Sequence, residues 1–488
     1  MTRTAAPTST RTIGENIRGL SVAIAIAFLV TSAGVGYWTL VASDELASDP
    51  FNPRLVAAIR DRPRGKIVDN ANGVLAESVK TQDGWTRKYR DRSLAHVVGF
   101  ASFKYGASGI EAAYADSLVG QDPGDPIATW RARYLNEHEE PGSVVLGIDP
   151  KVQKVATDAL AATGRKGAII ALDPRNGAIV ASVSLPNFDP NQVADPRTED
   201  LAWQQVNGDQ NKPLIDRARQ GLYAPGSTFK LVTGSAALET GVNPDTKVRV
   251  DDPWQADPSW GQYYVRSASK AHGDFTMADG YRLSENIYFA KVGIQIGGQK
   301  LAEYANRFGV GAAPKCDVTA AKGQLSNTGT LDRPTLVADT SYGQGELLVS
   351  PLQMALIAAA IGRGGVMPTP HYAVEVRDSS GNTIRSIAPG PVGQVVRPDT
   401  AARIAGYLVG AVEGPGAFAF GARIQGVHVA GKTGTAENPA GPPHGWFIGF
   451  APAENPQIAV AVIIENSGQG GVDAAPLGGR VMQAALGR

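Results

Sequence analysis

The sequence predicts an α+β protein with three parts: an N-terminal transmembrane helix, a small polar domain, and a larger domain whose central antiparallel sheet is covered by helices. Three observations predict this class. A long stretch near the N-terminus contains no charged residue, and the segment after it is basic, polar and interrupted by turns. In the rest of the chain, strand-like runs lie at both ends and helical patterns lie between them, which favours a sheet closed by distant segments.

The composition excludes several classes of protein. Of 488 residues, 43% are hydrophobic and 19% are charged, so the chain can bury a sizeable core. The 46 Lys and Arg residues balance the 46 Asp and Glu residues, which removes the basic surplus typical of nucleic-acid-binding proteins. Cys316 is the one cysteine, which excludes an intrachain disulfide, a cysteine-based zinc site and an iron–sulfur cluster. The six histidines contain no His-Glu-x-x-His pattern, so a zinc metalloprotease of that type is also excluded.

The first element is the charge-free stretch over residues 20–41, which is long enough to cross a hydrocarbon core about 30 Å thick. Three arginines precede it and acidic residues follow it, so the positive-inside rule places residues 1–19 in the cytoplasm and everything after about residue 42 outside. A buried core helix and a cleavable signal peptide ending near Val41-Ala42-Ser43 are the alternatives. The stretch exceeds the roughly 7–15 apolar residues of a signal peptide, which favours an uncleaved anchor in the plasma membrane.

The second predicted unit covers residues 42–142, and the third covers residues 143–488. In the second unit, residues 69–73 predict a turn after a short apolar run, and Pro141-Gly142 marks the boundary with the third unit. In the third unit, Asn176-Gly177 between two apolar runs predicts a β-hairpin. The predicted strands are 144–149, 167–173, 178–183, 446–450 and 458–464, and the predicted helices are 151–162, 228–240, 287–297, 351–363 and 399–412.

A Ser-x-x-Lys pattern, Ser227 to Lys230, opens one of these helices. Residues three apart share a helix face, so the hydroxyl and the ammonium group can touch. A serine becomes a good nucleophile when a base takes its proton, and a lysine whose pKa is lowered by burial can be that base. The pattern also occurs by chance in a chain of this length. A second copy, Ser267 to Lys270, lies in a polar stretch without apolar periodicity and predicts a solvated loop.

Two further patterns follow the first. Ser284-Glu285-Asn286 precedes an apolar helix and can present a hydroxyl and an amide together, although Ser and Asn are also ordinary helix caps. Lys432-Thr433-Gly434-Thr435 follows a strand-like run; its lysine raises the local potential, and its glycine is expected to let a substrate backbone approach the strand. The alternative for this pattern is a glycine-containing strand end. We expect the three segments to converge, with one activated hydroxyl between two ammonium groups.

The order Ser-x-x-Lys, Ser-x-Asn, Lys-Thr-Gly resembles that of the penicillin-recognising serine transferases and hydrolases. Around these motifs the chain is similar over nearly its whole length to class B penicillin-binding proteins, and its compact size is most similar to that of their actinobacterial members. The similar segments are Arg64-Gly65-Lys66-Ile67-Val68-Asp69, His96-Val97-Val98-Gly99, Gly109-Ile110-Glu111, Tyr223-Ala224-Pro225-Gly226-Ser227, Gly343-Gln344-Gly345 and Trp446-Phe447-Ile448-Gly449.

This resemblance implies a noncatalytic pedestal over residues 42–142 and a peptidoglycan D,D-transpeptidase domain over 143–488. Ser227 would attack the D-Ala–D-Ala carbonyl of one stem peptide and form an acyl-enzyme, which an amine of a neighbouring stem then resolves. The resemblance implies that Lys230 is the base for Ser227. It also implies that Ser284 relays a proton toward the leaving group and that Asn286 holds the amide of the donor peptide.

The resemblance assigns the remaining site residues to the Lys-Thr-Gly segment. Lys432 would support the proton relay electrostatically, and Thr433, Gly434 and Thr435 would bind the substrate, the two threonines through its terminal carboxylate. The backbone N–H groups of Ser227 and Thr435 would form the oxyanion hole. A β-lactam antibiotic would enter as a mimic of the substrate and acylate Ser227. Neither a metal ion nor an organic cofactor is required.

Two other functions remain open at this point. A D,D-carboxypeptidase or a serine β-lactamase uses the same three motifs, but the anchor and the pedestal argue against a simple hydrolase. A noncatalytic sensor of β-lactams or cell-wall peptides is the alternative from a different class. The segment before residue 142 is too short for a glycosyltransferase domain. A separate membrane glycosyltransferase, such as one of the SEDS family, is therefore the expected partner.

Overall fold

The structure, a computed structural model, describes residues 12–40, 63–82, 84–102, 104–120, 140–270, 272–438 and 441–488. The predicted cytoplasmic tail lies outside the described residues up to residue 11. Within the predicted pedestal, residues 42–62, 83, 103 and 121–139 are outside the described residues.

Helix α1, Ile13–Leu40, begins seven residues before the charge-free stretch. Its apolar window, Ile13–Trp38, has a mean hydropathy of 2.0 and contains no buried residue. The hydroxyl of Thr31 donates to the carbonyl of Ala27 (2.7 Å), so this polar group is satisfied within the helix. An apolar helix with no buried residue in this window needs another apolar environment. Helix α1 therefore fits a single membrane-spanning anchor.

The remaining described helices have the following bounds: α2 (Ala95–Val98), α3 (Gly109–Ala113), α4 (Ala115–Leu118), α5 (Pro150–Ala161), α6 (Pro190–Ala194), α7 (Glu199–Gly208), α8 (Lys230–Glu239), α9 (Met277–Arg282), α10 (Asn286–Ile296), α11 (Gly298–Arg307), α12 (Pro334–Ser341), α13 (Pro351–Gly362), α14 (Pro398–Glu413) and α15 (Gly470–Ala485). The predicted helices at 151–162, 287–297, 351–363 and 399–412 correspond to α5, α10, α13 and α14 within one residue at each end.

The described strands have the following bounds: β1 (Lys66–Val68), β2 (Val74–Thr81), β3 (Gly84–Tyr89), β4 (Ala101–Ser102), β5 (Gly106–Ala107), β6 (Ser143–Leu146), β7 (Gly167–Leu172), β8 (Ile179–Leu185), β9 (Val248–Val250), β10 (Gly273–Phe275), β11 (Val366–Met367), β12 (Ala373–Arg377), β13 (Thr383–Ser386), β14 (Gly393–Gln394), β15 (Ala430–Asn438), β16 (Gly441–Ala451) and β17 (Ile458–Ile464). The β7–β8 pair confirms the predicted hairpin.

A five-stranded antiparallel sheet of order β15-β16-β17-β7-β8 lies at the centre of the larger domain. Every residue of β17 is buried, because apolar residues alternate between two cores on the two faces of the sheet. Ala459, Ala461 and Ile463 join one core, whereas Ile458, Val460, Val462 and Ile464 join the other. Helix α13 packs on the first face, and helices α5 and α15 pack on the second. The predicted antiparallel sheet covered by helices is confirmed, and β15 lies at its edge.

A second sheet, of order β13-β12-β6-β1-β2-β3, joins the N-terminal segment to the larger domain. Strand β6 follows residue 142 and pairs in parallel with β1, and β12 pairs with the other edge of β6. Hydrogen bonding therefore continues across the predicted boundary. The sequence could not show this, because β12 lies more than 220 residues after β6. The division at residue 142 stays a prediction about domains.

A buried ion cluster lies beside this sheet. The carboxylate of Glu111 accepts hydrogen bonds from the Nε atoms of Arg64 (2.8 Å) and Arg87 (2.5 Å), and all three side chains are buried. Burial raises the pKa of Glu111, but the two guanidinium groups outweigh it and hold that pKa below its ordinary value. The cluster ties β3 and helix α3 to the start of β1.

Candidate active site

The turn that carries Ser227 is held by close backbone contacts. Gly226–Phe229 form a 3₁₀ turn that leads into α8, and Gly226 has φ of +55°. A Cβ on Gly226 would lie 2.7 Å from the carbonyl oxygen of Thr435, so a glycine lets β15 approach this turn. The N–H of Gly226 donates to the carbonyl of Gly343 (2.8 Å). Ser227 is therefore fixed between the edge strand of the sheet and the segment around residue 343.

The Lys230 side chain is fully buried, and its Nζ has three hydrogen-bond partners. It donates to the Ser227 Oγ (2.8 Å), to the Ser284 carbonyl (2.7 Å) and to the Asn286 Oδ1 (2.8 Å). The Asn286 Nδ2 donates to the carbonyl of Arg266 (3.2 Å), which orients Oδ1 toward the lysine. A carbonyl and an amide oxygen can only accept. When Lys230 is a neutral amine, its lone pair therefore faces Ser227, the one partner that can donate a proton.

The environment favours that neutral amine. The pKa of Lys230 is held well below its ordinary value, first because burial disfavours the charged form and then because the Lys432 ammonium repels it. Glu285 acts in the opposite direction and favours the protonated lysine. Burial also lowers the pKa of Lys432, to about 7. Lys432 can therefore exchange a proton near neutral pH.

Ser284, not Ser227, lies between the two lysines. Its carbonyl accepts from Lys230, and its Oγ accepts from the Lys432 Nζ (2.7 Å) across 148 residues of chain. Ser284 has φ of +54°, a conformation that costs a non-glycine residue about 1–3 kcal/mol. The expected arrangement is therefore corrected: the Ser227 hydroxyl contacts Lys230, and the residue that contacts both lysines is Ser284, through its carbonyl and its hydroxyl.

The third motif lies on β15, in register with β16. Lys432 pairs with Ile448, and Gly434 pairs with Trp446. A Cβ on Gly434 would lie 2.6 Å from the carbonyl oxygen of Pro225. The Cβ side of this glycine therefore faces the serine turn. That a substrate backbone also approaches the strand at this glycine stays a prediction. Thr433 is buried beside Lys432, whereas Thr435 is exposed.

The predicted site residues thus gather at one place. Ser227, Lys230, Ser284, Asn286 and Lys432 form one continuous hydrogen-bonded group. The remaining residues follow Lys432 on β15, and the Thr435 carbonyl accepts from the Nε2 of Gln344 (3.3 Å), which lies next to the serine turn.

Comparison with known proteins gives the family. Residues 167–483 match the model of the penicillin binding protein transpeptidase domain, and residues 64–145 match that of the penicillin binding protein A dimerisation domain. The chain belongs to the penicillin-binding transpeptidase family. The site described above lies wholly within the matched transpeptidase domain of this family.

Relatives of this penicillin-binding protein align over almost the whole chain. The peptidoglycan D,D-transpeptidase PbpA of Mycolicibacterium smegmatis is 32% identical over 97% of this chain and 99% of the relative, and that of Mycobacterium tuberculosis has the same identity and coverage. The structure of penicillin-binding protein A from M. tuberculosis, a ceftriaxone acyl-enzyme complex, superposes with a TM-score of 0.81 at 30% identity. It covers 88% of this chain and 100% of that chain. The predicted similarity to actinobacterial class B proteins is confirmed.

The sequence did not reveal three residues of this penicillin-binding protein's site. Ser267 and Ser269 belong to the second Ser-x-x-Lys copy, and both hydroxyls donate to the buried Glu285 carboxylate, at 2.6 Å and 2.9 Å. The prediction of a solvated loop is therefore wrong for the two serines, although Lys270 is exposed. The available signal was an acidic residue directly before an apolar helix, which predicts a cap but not its partners.

Proposed function

We propose that the protein is a peptidoglycan D,D-transpeptidase that cross-links stem peptides through an acyl-enzyme on Ser227. The observation that carries the proposal is the 2.8 Å contact between the Ser227 Oγ and a buried Lys230 amine whose other two partners can only accept. The D,D-transpeptidase activity of the mycobacterial relatives supports it, as do the acyl-enzyme complexes of M. tuberculosis penicillin-binding protein A with ceftriaxone and imipenem.

In the first half-reaction, the Ser227 Oγ attacks the carbonyl carbon of the D-Ala–D-Ala bond while Lys230 takes the hydroxyl proton. The backbone N–H groups of Ser227 and Thr435 stabilise the oxyanion. When the C–N bond breaks, the leaving nitrogen takes the proton of the Ser284 hydroxyl, which regains one from Lys432. The Lys432 Nζ already donates to this oxygen, so the hydroxyl's own proton is available to another acceptor.

The second half-reaction reverses these transfers. The acceptor amine attacks the acyl carbon and loses its proton through Ser284 to Lys432. The Ser227 Oγ leaves with the proton that Lys230 has held, which restores both lysines to their starting states. A pKa near 7 suits Lys432 to give and take this proton.

The remaining residues hold the donor peptide. The Asn286 Nδ2 has two hydrogens and uses one on Arg266, so the second can donate to a substrate carbonyl. The hydroxyls of Thr433 and Thr435 bind the terminal carboxylate beside Lys432. Gly434 contributes by letting β15 lie against the serine turn.

Labelling with a fluorescent penicillin tests the nucleophile. We expect Ser227→Ala to lose the label, and we expect Ser380→Ala to keep it, because that exposed serine lies in the β12–β13 turn. Label retained on Ser227→Ala would contradict the proposal. Incubation with a thioester stem-peptide analogue and D-amino acids then separates the alternatives: the exchanged product indicates a transpeptidase, and the free acid alone indicates a carboxypeptidase.

We infer that helix α1 crosses the plasma membrane once, with the N-terminus in the cytoplasm and residues 63–488 outside. The charge-free stretch, the arginines before it and the exposed apolar helix support this orientation. Protease added to intact protoplasts is expected to digest the outer part. Digestion only after the membrane is broken would contradict the orientation.

We further propose that glycan polymerisation comes from a separate membrane glycosyltransferase of the SEDS type. The two matched domains, residues 64–145 and 167–483, are a dimerisation domain and a transpeptidase domain, and neither is a glycosyltransferase domain. Purification of the full-length protein from its native membrane is expected to recover such an enzyme. Recovery without one would contradict this partner.

A further inference from the structure

The middle residue of the second motif, Glu285, is buried and serves none of the steps above. Its Oε1 accepts the N–H of Ile287 (3.1 Å) and caps α10, and its Oε2 accepts the hydroxyls of Ser267 and Ser269. Within the described chain these donors are neutral, and the carboxylate makes no direct ion pair. Burying a charge without an ion pair is costly. Glu285 directly follows Ser284, whose carbonyl accepts from Lys230, so the carboxylate charge acts on this lysine.

The two serines belong to a loop between β9 and β10, residues 251–270, which we call the rim loop. The rim loop contacts the site at two further points. At the first point, the Arg266 carbonyl accepts from the Asn286 side chain. At the second point, the Tyr263 hydroxyl donates to Asp339 of α12. Asp339 also accepts from Tyr342 (2.5 Å), which directly precedes Gly343. Thus the rim loop bridges the second motif and the segment that supports the serine turn. Glu285 is its anchor on the side of the lysines.

We propose that Glu285 is a positioning residue for the proposed transpeptidation, acting through Lys230 by its negative charge and through Asn286 by holding the rim loop in place. The inference rests on the proposed function of Ser227 and Lys230. Two lysines buried together need a nearby negative charge, and Glu285 is the acidic group that acts on Lys230. The same carboxylate, through two serine hydroxyls, keeps the Arg266 carbonyl against the Asn286 amide.

Several other charged groups on the elements around Glu285 have hydrogen-bond partners of their own. Asp279 and Arg282 on α9 pair with each other at 3.0 Å, and Lys291 on α10 donates to the Arg249 carbonyl. The charged residues on α8, α9, α10, β15 and the rim loop are Lys230, Glu239, Asp251, Asp252, Asp257, Arg266, Lys270, Asp279, Arg282, Lys291, Lys432 and Glu437. Of these, Lys432 is the other charge that acts on Lys230.

The charge is tested by Glu285→Gln, which keeps the size of the side chain and an oxygen that can accept a hydrogen bond. A negative charge favours the protonated lysine, so its removal lowers the pKa of Lys230. The acidic limb of the pH profile for acylation by fluorescent penicillin should then shift to lower pH, by about one unit. A merely structural role would reduce the rate without moving the limb. The matched control is Glu199→Gln, because Glu199 is also buried and accepts the Ser102 hydroxyl at 2.6 Å.

The anchor is tested by the double variant Ser267→Ala/Ser269→Ala, which keeps the charge and removes two hydrogen bonds. The loosened rim loop should be cleaved by trypsin after the exposed Arg266 and Lys270 several-fold faster than in the wild type. Ser259→Ala, an exposed serine of the same loop, is the control and should leave the rate unchanged.

The outcomes separate this inference from the proposed function. The inference is supported if the acidic limb moves to lower pH for Glu285→Gln but not for the control Glu199→Gln, and if trypsin cleaves the double serine variant faster than the wild type. If the wild type takes the penicillin label but the acidic limb of Glu285→Gln does not move, the inference is overturned and the proposed function stays intact. If Glu285→Gln does not fold, unchanged cleavage of the serine variant overturns it. A wild type that takes no label at all would refute the proposed function, and the inference with it.

Discussion

At the scale of single residues, two buried lysine amines and one carboxylate control the proposed chemistry. Lys432 lowers the pKa of Lys230, and Glu285 raises it. Opposite charges therefore adjust one base, whose neutral form faces the Ser227 hydroxyl. Because Lys230 has no second donor among its three partners, its protonation state determines whether Ser227 can lose its proton.

The Lys432→Gln variant is expected to shift the acidic limb of acylation to higher pH. Removal of the repelling charge raises the pKa of Lys230, so the neutral base forms only at higher pH. The rate of fluorescent-penicillin acylation across pH 5–9 would measure this. A limb that moves to lower pH would contradict the electrostatic account.

Stability should show the cost of burying Lys432. Its pKa in the folded protein is about 7, well below the ordinary 10.5, so the unfolded state binds more protons between these values. The free energy of unfolding therefore rises with pH across that window. We expect Lys432→Met to be more stable than the wild type at pH 7, with a difference that shrinks toward pH 10, as measured by chemical denaturation. No difference at pH 7 would contradict the burial of a titrating amine.

At the scale of elements, the site depends on how closely β15 approaches the serine turn. Gly226 and Gly434 face backbone oxygens of the opposite segment at distances that no side chain tolerates. The strand and the turn are thus matched in shape before any substrate enters. This contact brings the Ser227 turn and the Thr435 backbone close together, as the proposed oxyanion hole requires.

Gly434→Ala is expected to slow acylation at least tenfold, because a Cβ would lie 2.6 Å from the Pro225 carbonyl oxygen and push the strand away. The overpacking should cost about 1–3 kcal/mol of unfolding free energy. Gly406→Ala is the matched control, since that glycine lies inside α14 with nothing within 4 Å. It should gain up to about 1 kcal/mol and keep the wild-type acylation rate. Equal acylation rates in Gly434→Ala and the wild type would contradict the close approach.

The sequence predicted the local helices and strands well from their spacing. It predicted long-range contacts only through the order of the three motifs. The contact of Ser227 with Lys230 follows from helical spacing, and the Asn176-Gly177 hairpin follows from its turn. The contact of Ser284 with Lys432 spans 148 residues, and only the family resemblance suggested it. The contact of Gly434 with the serine turn and the contact of Ser267 with Glu285 were not predicted, because the neighbours Pro225 and Glu285 come from other segments.

At the scale of the whole molecule, one membrane helix and two joined sheets carry the site. The second sheet combines β1 to β3 with β6, β12 and β13, so the N-terminal segment is bound to the larger domain by backbone hydrogen bonds. The Arg64–Glu111–Arg87 cluster stabilises this junction from the inside. Within the described chain, none of the active-site residues takes part in the hydrogen bonds between Arg64, Arg87 and Glu111.

Glu111→Ala is expected to destabilise the protein by about 3–5 kcal/mol, because it leaves two buried guanidinium groups without their carboxylate. The pKa of Glu111 is lowered, so this stabilisation is present above about pH 4.5 and is lost as pH falls. Denaturation at pH 7 and at pH 4 would measure both effects, while penicillin labelling at 25 °C should persist. A variant as stable as the wild type at pH 7 would contradict the structural role of the cluster.

The most direct test of the central claim is mass spectrometry of the wild-type protein after reaction with penicillin G. We predict one adduct per chain, on the tryptic peptide of residues 220–230, with the added mass on Ser227. An adduct on any other residue, or a chain that stays unmodified under conditions where it is folded, would contradict the account.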